Sequence, residues 1–316
     1  MITKSSFGNS CGLLVATLFI FILFSGVSVY AADKPLGLSK YPTLKFGFTS
    51  QNLAKWLPNS AENLKTVIDF AKKKGFSFIE LRDANAGLSY EDAKKVAAYA
   101  KKKKIEVIYA MGMGGLDRNY FELFAKGMAN TMLFDGPRFA RTAAFGKEMT
   151  DDPKKQYWTG AEFTQLVQNL NQAGNTAKTF GYTLCVENAF EGLKGDGVDT
   201  FGVADLFGPK GVNTNVGFQV DTANFFCTSR AENAPNDVRA FFEENAKRVT
   251  YAHLKSSIDK KPALVLNGND VPFDVFFNSL AKNGKVYIAL ELANADTLEN
   301  AYTNHQKSID YLRKNF

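Results

Sequence analysis

Four short apolar segments decide the predicted fold: YTLCVEN at residues 182–188, VGFQVDTAN at 216–224, VTYAHLKSS at 249–257 and VYIALEL at 286–292. Each carries one side chain that can bind a metal ion, and these are Glu187, Asp221, His253 and Glu291. Successive members of this set are 34, 32 and 38 residues apart, about the length of one strand–helix unit. Because parallel strands of a barrel end at one rim, the spacing predicts that the four side chains meet in a divalent-metal site.

The rest of the chain repeats the same alternation of short buried strands and amphipathic helices. Predicted strands cover residues 44–49, 76–82, 105–111, 131–134, 182–187, 216–221, 249–255 and 286–291. Predicted helices cover residues 60–74, 90–103, 159–180, 237–248, 274–282 and 298–314. This pattern predicts an α/β fold, a single (β/α)8 TIM barrel, with a doubly wound sheet as the alternative. Residues 135–159 form the longest irregular stretch and are expected to be a rim loop.

The first residues have the pattern of a secretory signal peptide. Lys4 precedes an uncharged apolar run at residues 11–29, and small residues flank a cleavage position after Ala31. We therefore expect a signal peptide at residues 1–31, a barrel domain at residues 32–316, and a periplasmic or secreted location. A retained membrane anchor is the alternative, because the run approaches spanning length. After cleavage, no stable membrane span is expected.

Charge and cysteine content argue against a nucleic-acid-binding protein and against a scaffold held by disulfide bonds. The net charge is +6, but the lysines are scattered over helix ends, where they complement the helix dipole instead of forming a nucleic-acid surface. Cleavage after Ala31 would leave two cysteines, Cys185 and Cys227, too few to indicate a disulfide scaffold. Cys185 lies in an apolar strand and is interpreted as a packing residue.

Five segments together resemble the xylose isomerase-like barrel superfamily, which includes sugar isomerases and epimerases, inosose dehydratases and AP endonucleases. They are FIELRD at 78–83, CVEN at 185–188, VDTAN at 220–224, AHLKSS at 252–257 and ALEL at 289–292. The resemblance extends over roughly residues 45–316. It implies that the metal ligands are Glu187, Asp221, His253 and Glu291. It also implies one divalent ion, with manganese as the first choice and cobalt, magnesium or zinc as alternatives.

The resemblance further implies catalysis by Glu187 and Glu291, which would exchange a proton next to a carbonyl group through a metal-stabilised enediolate. Two positions depart from the ketose epimerases of the family. Asn224 stands where they often have a histidine, and residues 255–260 read KSSIDK where they tend to have an arginine. Asn224 can still hydrogen-bond a hydroxyl group. Lys255 is expected either to contact a substrate oxyanion or carboxylate, or to pair with Glu291 or Glu187.

Three further residues are candidates for binding the substrate. Alternation along the second strand points Glu80 and Arg82 toward the barrel mouth, where they form a polar wall or a local ion pair. Trp56 follows the first strand and offers an aromatic face for a sugar, or a small packing cluster with Leu57 and Pro58.

Together, these features predict an exported, metal-dependent sugar isomerase or epimerase that acts on a small sugar or keto-sugar. One alternative is a lyase or dehydratase acting on a keto-sugar or cyclitol, and another is a secreted carbohydrate-binding barrel without turnover. The chain has two histidines, His253 and His305, too few for the three-metal site of the AP endonucleases. A nucleic-acid partner is therefore not expected, His305 is interpreted as a packing residue, and homo-oligomerisation is left open.

Overall fold

Strands whose residues are buried on both faces form the centre of the molecule. The computed structural model describes residues 34–84, 86–144, 156–189, 191–227, 235–268 and 271–316. The strands are β1 (Leu44–Thr49), β2 (Phe78–Ala84), β3 (Glu106–Gly114), β4 (Phe139–Ala143), β5 (Trp158–Thr159), β6 (Thr183–Glu187), β7 (Thr200–Phe201), β8 (Val216–Asp221), β9 (Val249–Leu254), β10 (Ser257–Ile258), β11 (Lys261–Pro262) and β12 (Val286–Leu290). All six residues of β8, Val216–Asp221, are buried, as expected for a parallel strand covered on both faces.

Eight strands pair in parallel and close into a barrel in the order β1-β12-β9-β8-β6-β4-β3-β2. Two short antiparallel pairs, β5 with β7 and β10 with β11, lie outside that barrel. The helices are α1 (Ala61–Lys73), α2 (Tyr90–Lys103), α3 (Tyr120–Thr131), α4 (Gly160–Thr179), α5 (Val203–Leu206), α6 (Pro235–Asn245), α7 (Phe273–Ala281) and α8 (Leu298–Asn315). Closure brings the carboxyl ends of all eight strands to one rim.

Side chains fill the barrel interior, so it is a packed core and not a pore. An inner cluster contains Phe78, Ile108, Cys185, Tyr251, Tyr287 and Ala289, with Phe139 packed against it. Gly47 makes room for this cluster, because a Cβ atom there would lie 2.4 Å from the Phe78 carbonyl oxygen and 2.8 Å from its ring. The interior below the rim is therefore largely apolar, and the polar residues collect above it.

Local signals fix the helix starts. Ser60 accepts a hydrogen bond from the backbone N–H of Asn63 at the start of α1, as its sequence position predicts. Thr159 and Glu162 form a reciprocal capping box at the start of α4. Such caps satisfy backbone donors that the first turn leaves free, and so define where each helix begins.

The closed barrel confirms the predicted fold, and seven of the eight predicted strands overlap a barrel strand. The fourth prediction is wrong: residues 131–134 lie at the end of α3 and in the turn that follows, and the strand is Phe139–Ala143. This strand carries Arg141 at its centre, fully buried. A search for apolar runs passes over such a segment, because a buried arginine is tolerated only where carboxylates pair with it.

Two other predictions fall wholly or partly outside the described residues. The signal peptide and its cleavage position lie in residues 1–33, which the structure does not describe. Residues 145–155 of the expected rim loop likewise lie outside the described residues, and the remainder of that loop contains β4. Within the described ranges, no helix is long and apolar enough to cross a membrane.

His305 has the packing role predicted for it. Its ring packs edge-on against Phe48 and Phe70, its Nδ1 lies 2.8 Å from the Ala301 carbonyl oxygen, and its Nε2 lies 3.0 Å from Asn52 Nδ2. A neutral ring that donates from Nδ1 and accepts at Nε2 satisfies both contacts. Burial lowers the pKa of His305 from 6.5 to about 4.

This shift predicts a pH-dependent loss of stability. The unfolded chain takes up a proton at His305 near pH 6.5 and the folded protein only near pH 4, so the free energy of unfolding falls as the pH drops between these values. Urea unfolding from about pH 7 to about pH 4.5 should show His305→Gln losing roughly 2 kcal/mol less than the wild type. Parallel pH profiles of the two proteins would contradict a buried neutral histidine.

Candidate metal centre

The four predicted ligands meet at the carboxyl end of the barrel. Glu187 and Asp221 are the last residues of β6 and β8, His253 is the penultimate residue of β9, and Glu291 directly follows β12. One ligand atom from each lies within 4.8 Å of the others. We call these residues the ligand cluster. The barrel therefore confirms what the spacing predicted, that the four side chains lie together.

The imidazole of His253 lies at the centre of the cluster. Its Nδ1 is 2.7 Å from Glu187 Oε1 and 2.6 Å from Glu291 Oε2. On the opposite side, Nε2 is 2.8 Å from Glu80 Oε2, an oxygen that also accepts a 2.6 Å hydrogen bond from the Tyr251 hydroxyl. Glu80 thus orients the ring by accepting the Nε2 proton, which directs Nδ1 into the cluster.

Asp221 is held by the backbone of its own turn and by Asn188. Its Oδ1 accepts hydrogen bonds of 3.0 Å from the backbone N–H groups of Ala223 and Asn224. The Asn188 carboxamide oxygen accepts a 2.8 Å hydrogen bond from the Asp221 N–H. With Oδ1 occupied in this way, Oδ2 is the oxygen left to face the other ligands, 3.7 Å from His253 Nδ1.

Three cations surround the carboxylates. Arg82 bridges two of them, with Nη1 3.2 Å from Glu291 Oε2 and Nη2 3.4 Å from Glu187 Oε2. Arg141 donates from Nη2 to that same oxygen of Glu187. On the other side of the cluster, Lys255 Nζ lies 2.8 Å from Asp221 Oδ2 and 3.0 Å from Glu291 Oε1.

These cations keep the buried carboxylates ionised. Burial alone would raise the pKa of Glu187, but Arg141 and His253 hold it below its usual range. Burial also opposes ionisation of Glu291, whose pKa is nevertheless held well below its usual range, mainly by Lys255. Both glutamates are therefore charged at neutral pH, which is the form that binds a metal ion or removes a proton.

The carboxylates in turn favour a positive charge on the imidazole. Burial would lower the pKa of His253, yet Glu80 and Glu187 raise it well above its ordinary value. Binding of a metal ion at Nδ1 requires release of the proton from that nitrogen. A divalent cation would then supply the positive charge that the surrounding carboxylates stabilise.

The donor set fits a divalent metal ion. Among the described residues, Asp221 Oδ2 and His253 Nδ1 are buried atoms with no partner in hydrogen-bond geometry, although Lys255 Nζ lies close to the first and oxygens of Glu187 and Glu291 lie close to the second. Buried polar atoms of this kind are costly unless another group satisfies them. Both face the same point as the carboxylates of Glu187 and Glu291. Three carboxylates and one imidazole suit manganese, magnesium, cobalt or zinc.

The other predicted site residues divide into two groups. Lys255 and Asn224 lie beside the cluster, with Lys255 Nζ 3.3 Å from Asn224 Oδ1, and Arg82 spans its open side. Glu80 is fully buried beneath the imidazole, which corrects its prediction as a mouth residue. Trp56 is half-buried and packs against the apolar core, with Lys55 Nζ 5.3 Å from its ring centroid.

Sequence reasoning missed three residues that support the cluster: Arg141, Asn188 and Gln219. Arg141 Nε donates a 2.8 Å hydrogen bond to Gln219 Oε1, and both side chains are fully buried. A signal for Gln219 was present, since it lies two residues before Asp221 and therefore on the same face of the strand. Arg141 was hidden by the misplacement of its strand.

Glu291 is positioned by a further buried contact. Asn52 Nδ2 donates to the Leu290 carbonyl oxygen at 3.1 Å, and Asn52 Oδ1 accepts from the Leu292 N–H at 3.2 Å. One side chain therefore fixes the backbone on both sides of Glu291. His305 holds Asn52 in turn, so the packing of α8 is connected to the geometry of the cluster.

A sequence profile of the family described as xylose isomerase-like TIM barrel matches residues 68–315, most of the chain. No curated protein matches the sequence. The profile spans all four residues of the ligand cluster.

Solved structures share the fold at low sequence identity. A xylose isomerase-like TIM barrel protein from Mycobacterium smegmatis, in complex with magnesium, has a TM-score of 0.56 at 18% identity, covering 80% of this chain and 88% of that one. An L-ribulose 3-epimerase has a TM-score of 0.62 at 16% identity, covering 85% and 93%. A D-allulose 3-epimerase from Methylomonas sp., in complex with D-allulose, has a TM-score of 0.59 at 14% identity, covering 90% and 99%. At these identities the likeness establishes the fold.

The geometry of the cluster predicts which substitutions abolish metal binding. His253→Gln and Asp221→Ala each remove an inward-facing ligand atom, so the purified variants should lose most of the bound divalent metal measured by elemental mass spectrometry. Circular dichroism should show that the barrel remains folded.

Matched controls come from the same chain. Glu62→Ala and Glu243→Ala each remove an exposed carboxylate, one on α1 and one on α6, so both should keep the wild-type metal content. A normal metal content in His253→Gln or Asp221→Ala would show that the cluster is not the metal site.

Proposed function

Because the chain belongs to the xylose isomerase-like TIM barrel family, we propose that it is a metal-dependent sugar isomerase or epimerase that moves a proton on the carbon next to a carbonyl group. Support comes chiefly from Glu187 and Glu291, two carboxylates that approach the same imidazole nitrogen from different strands. Structural relatives that act on ketoses, including the L-ribulose and D-allulose 3-epimerases, support the same reaction class.

The two glutamates would divide the proton transfer between them. Glu291 has 14% of its side chain exposed and is the carboxylate that a substrate in the barrel mouth can reach, so we assign it as the base. Glu187 has 2% of its side chain exposed and contacts the same nitrogen of His253 as Glu291. It is assigned to return the proton. A divalent cation bound by the cluster would polarise the substrate carbonyl and stabilise negative charge on its oxygen.

The proton and electron pair can be followed through the proposed reaction. Glu291 takes the proton from carbon, and the electron pair moves to the carbonyl oxygen to give an enediolate. Return of a proton to the opposite face of that carbon gives the epimer. Return to the neighbouring carbon, together with transfer of the hydroxyl proton to the other enediolate oxygen, gives the isomer. Lys255, 3.0 Å from Glu291 Oε1, would orient the base and face the developing negative charge.

Elimination is the second candidate, and the position of Lys255 favours it. A strand-end ammonium group that contacts both Glu291 and Asn224 lies beside the base, where it could protonate a departing hydroxyl group. Proton removal by Glu291 and loss of water would then make the chain a lyase or dehydratase. Asn224, in the place of a family histidine, is a neutral residue and leaves Lys255 as the cation at this position.

We also propose that the protein is exported and that its resident ion is manganese. The pattern of residues 1–31 supports export, since it combines a basic start, an apolar centre and a small-residue exit. Oxygen-rich ligands with one imidazole support manganese, and magnesium is supported by the relative that binds it. An exported enzyme would act on free sugars or their oxidised derivatives and not on cytosolic phosphorylated intermediates.

Deuterium exchange tests the proton transfer. Wild-type protein loaded with manganese should exchange deuterium from heavy water into the carbon next to the carbonyl of at least one sugar in a panel of ketoses and keto-acids, detected by NMR. Glu291→Gln and Glu187→Gln should slow the exchange by about a hundredfold or more. Glu243→Gln is the control and should exchange at the wild-type rate.

The products separate the two candidates. An epimer or isomer of unchanged mass supports the first, and a product that has lost one water supports elimination. Absence of exchange and of water loss with every sugar in the panel, at full metal content, would rule out both reactions.

A further inference from the structure

The open side of the ligand cluster is lined by two cations. Arg82 has 19% of its side chain exposed and Lys255 has 8%, while Arg141 has 0%. Glu291, at 14%, lies between the first two and contacts both. A molecule that enters the barrel mouth therefore meets Arg82 and Lys255 directly, whereas Arg141 acts only from below.

Among the described residues, the charged groups at and around the ligand cluster carry a net positive charge once a divalent metal ion is bound. Four carboxylates and three cations form the cluster and its surroundings, and they are Glu80, Glu187, Asp221 and Glu291 with Arg82, Arg141 and Lys255. With a neutral imidazole, these groups carry a formal charge of −1, and a divalent cation changes it to +1. Excess charge in a buried site is unfavourable, so the metal-loaded site favours a ligand with one negative charge.

The two exposed cations are arranged around a carboxylate already. Arg82 Nη1 faces one oxygen of Glu291 at 3.2 Å and Lys255 Nζ faces the other at 3.0 Å. A metal ion that binds Glu291 shares its negative charge and weakens its hold on both cations. Their donors then suit a second carboxylate, since guanidinium and ammonium groups both bind carboxylate oxygens through charge-assisted hydrogen bonds.

We infer that the substrate is an acidic sugar, a monocarboxylate with a keto and a hydroxyl group, whose carboxylate binds between Arg82 and Lys255. This inference rests on the proposed function, because it assumes a sugar at the metal-loaded cluster. A phosphate dianion is a poorer match, since its two charges would return the site to −1. Asn224 supports the assignment, because its carboxamide oxygen holds Lys255 at 3.3 Å without neutralising it.

Calorimetric titration of the manganese-loaded full chain tests this inference with three ligands of related structure. D-Fructuronate and 2-keto-D-gluconate carry a carboxylate at opposite ends of the sugar, and D-fructose is the neutral counterpart. At least one acid should bind about tenfold or more tightly than D-fructose. D-Fructose 6-phosphate identifies a phosphate preference, and tighter binding of the phosphate than of either acid would overturn the inference.

Two substitutions assign the binding residues. Arg82→Gln and Lys255→Gln should each remove most of the preference for the acid, measured for each variant at matched manganese content as the ratio of its acid and D-fructose dissociation constants. Arg239→Gln and Lys95→Gln change an exposed arginine and an exposed lysine, and should keep the preference. A preference that survives both site substitutions would show that the acid binds elsewhere, for example to the metal ion alone.

The wild-type comparison needs no variant: equal affinity for the acids and D-fructose overturns the inference even if a substitution disturbs metal binding. Its failure also differs from failure of the proposed function. Deuterium exchange into D-fructose without a preference for acids would reject the acidic substrate and keep the proton transfer. Tight binding of an acid without exchange would support the acidic ligand and reject the proton transfer.

Discussion

Negative charge concentrated at one end of the barrel is the constraint on which the site depends. Four carboxylates converge there, and an ionised carboxylate without a partner is very costly in a buried environment. Arg82, Arg141 and Lys255 each contact at least one of them. These cations allow the barrel to hold several charged ligands within 4.8 Å of one another before a metal ion contributes.

The supports come from the barrel strands and from the short 3-10 turn, Ser50–Leu53, that follows β1. Glu80 on β2 accepts hydrogen bonds from Tyr251 and His253 of β9, so two strands on different sides of the barrel fix one imidazole. Asn52 fixes the backbone around Glu291. Groups held in this way cannot turn away from the cluster without breaking buried hydrogen bonds, and such preorganisation is what a metal site requires.

Much of this arrangement was predictable from the sequence. The barrel and the meeting of Glu187, Asp221, His253 and Glu291 follow from strand spacing, because parallel strands of similar length end at one rim. The spacing of the strands does not determine which individual side chains pair with one another. The expected pairing of Lys255 with Glu291 is confirmed, whereas its contact with Asp221 was not predicted.

The errors share one physical cause. Pattern rules assume that strands in the centre of a barrel are apolar. Arg141 of β4 breaks that assumption, because Glu187 on the neighbouring strand β6 pairs with it. Glu80 was placed at the mouth because alternation gives the face of a strand but not the depth of a side chain along the barrel axis. Such information lies in contacts between distant segments, which a single sequence does not reveal.

Anomalous diffraction from a crystal soaked with manganese tests the central claim most directly. The account predicts one strong peak at the carboxyl end of the barrel, about 2.0–2.3 Å from oxygens of Glu187, Asp221 and Glu291 and from His253 Nδ1. A manganese ion coordinated by other residues would contradict it. So would the absence of a peak after a full manganese soak, with Lys255 and Arg82 still paired with the carboxylates.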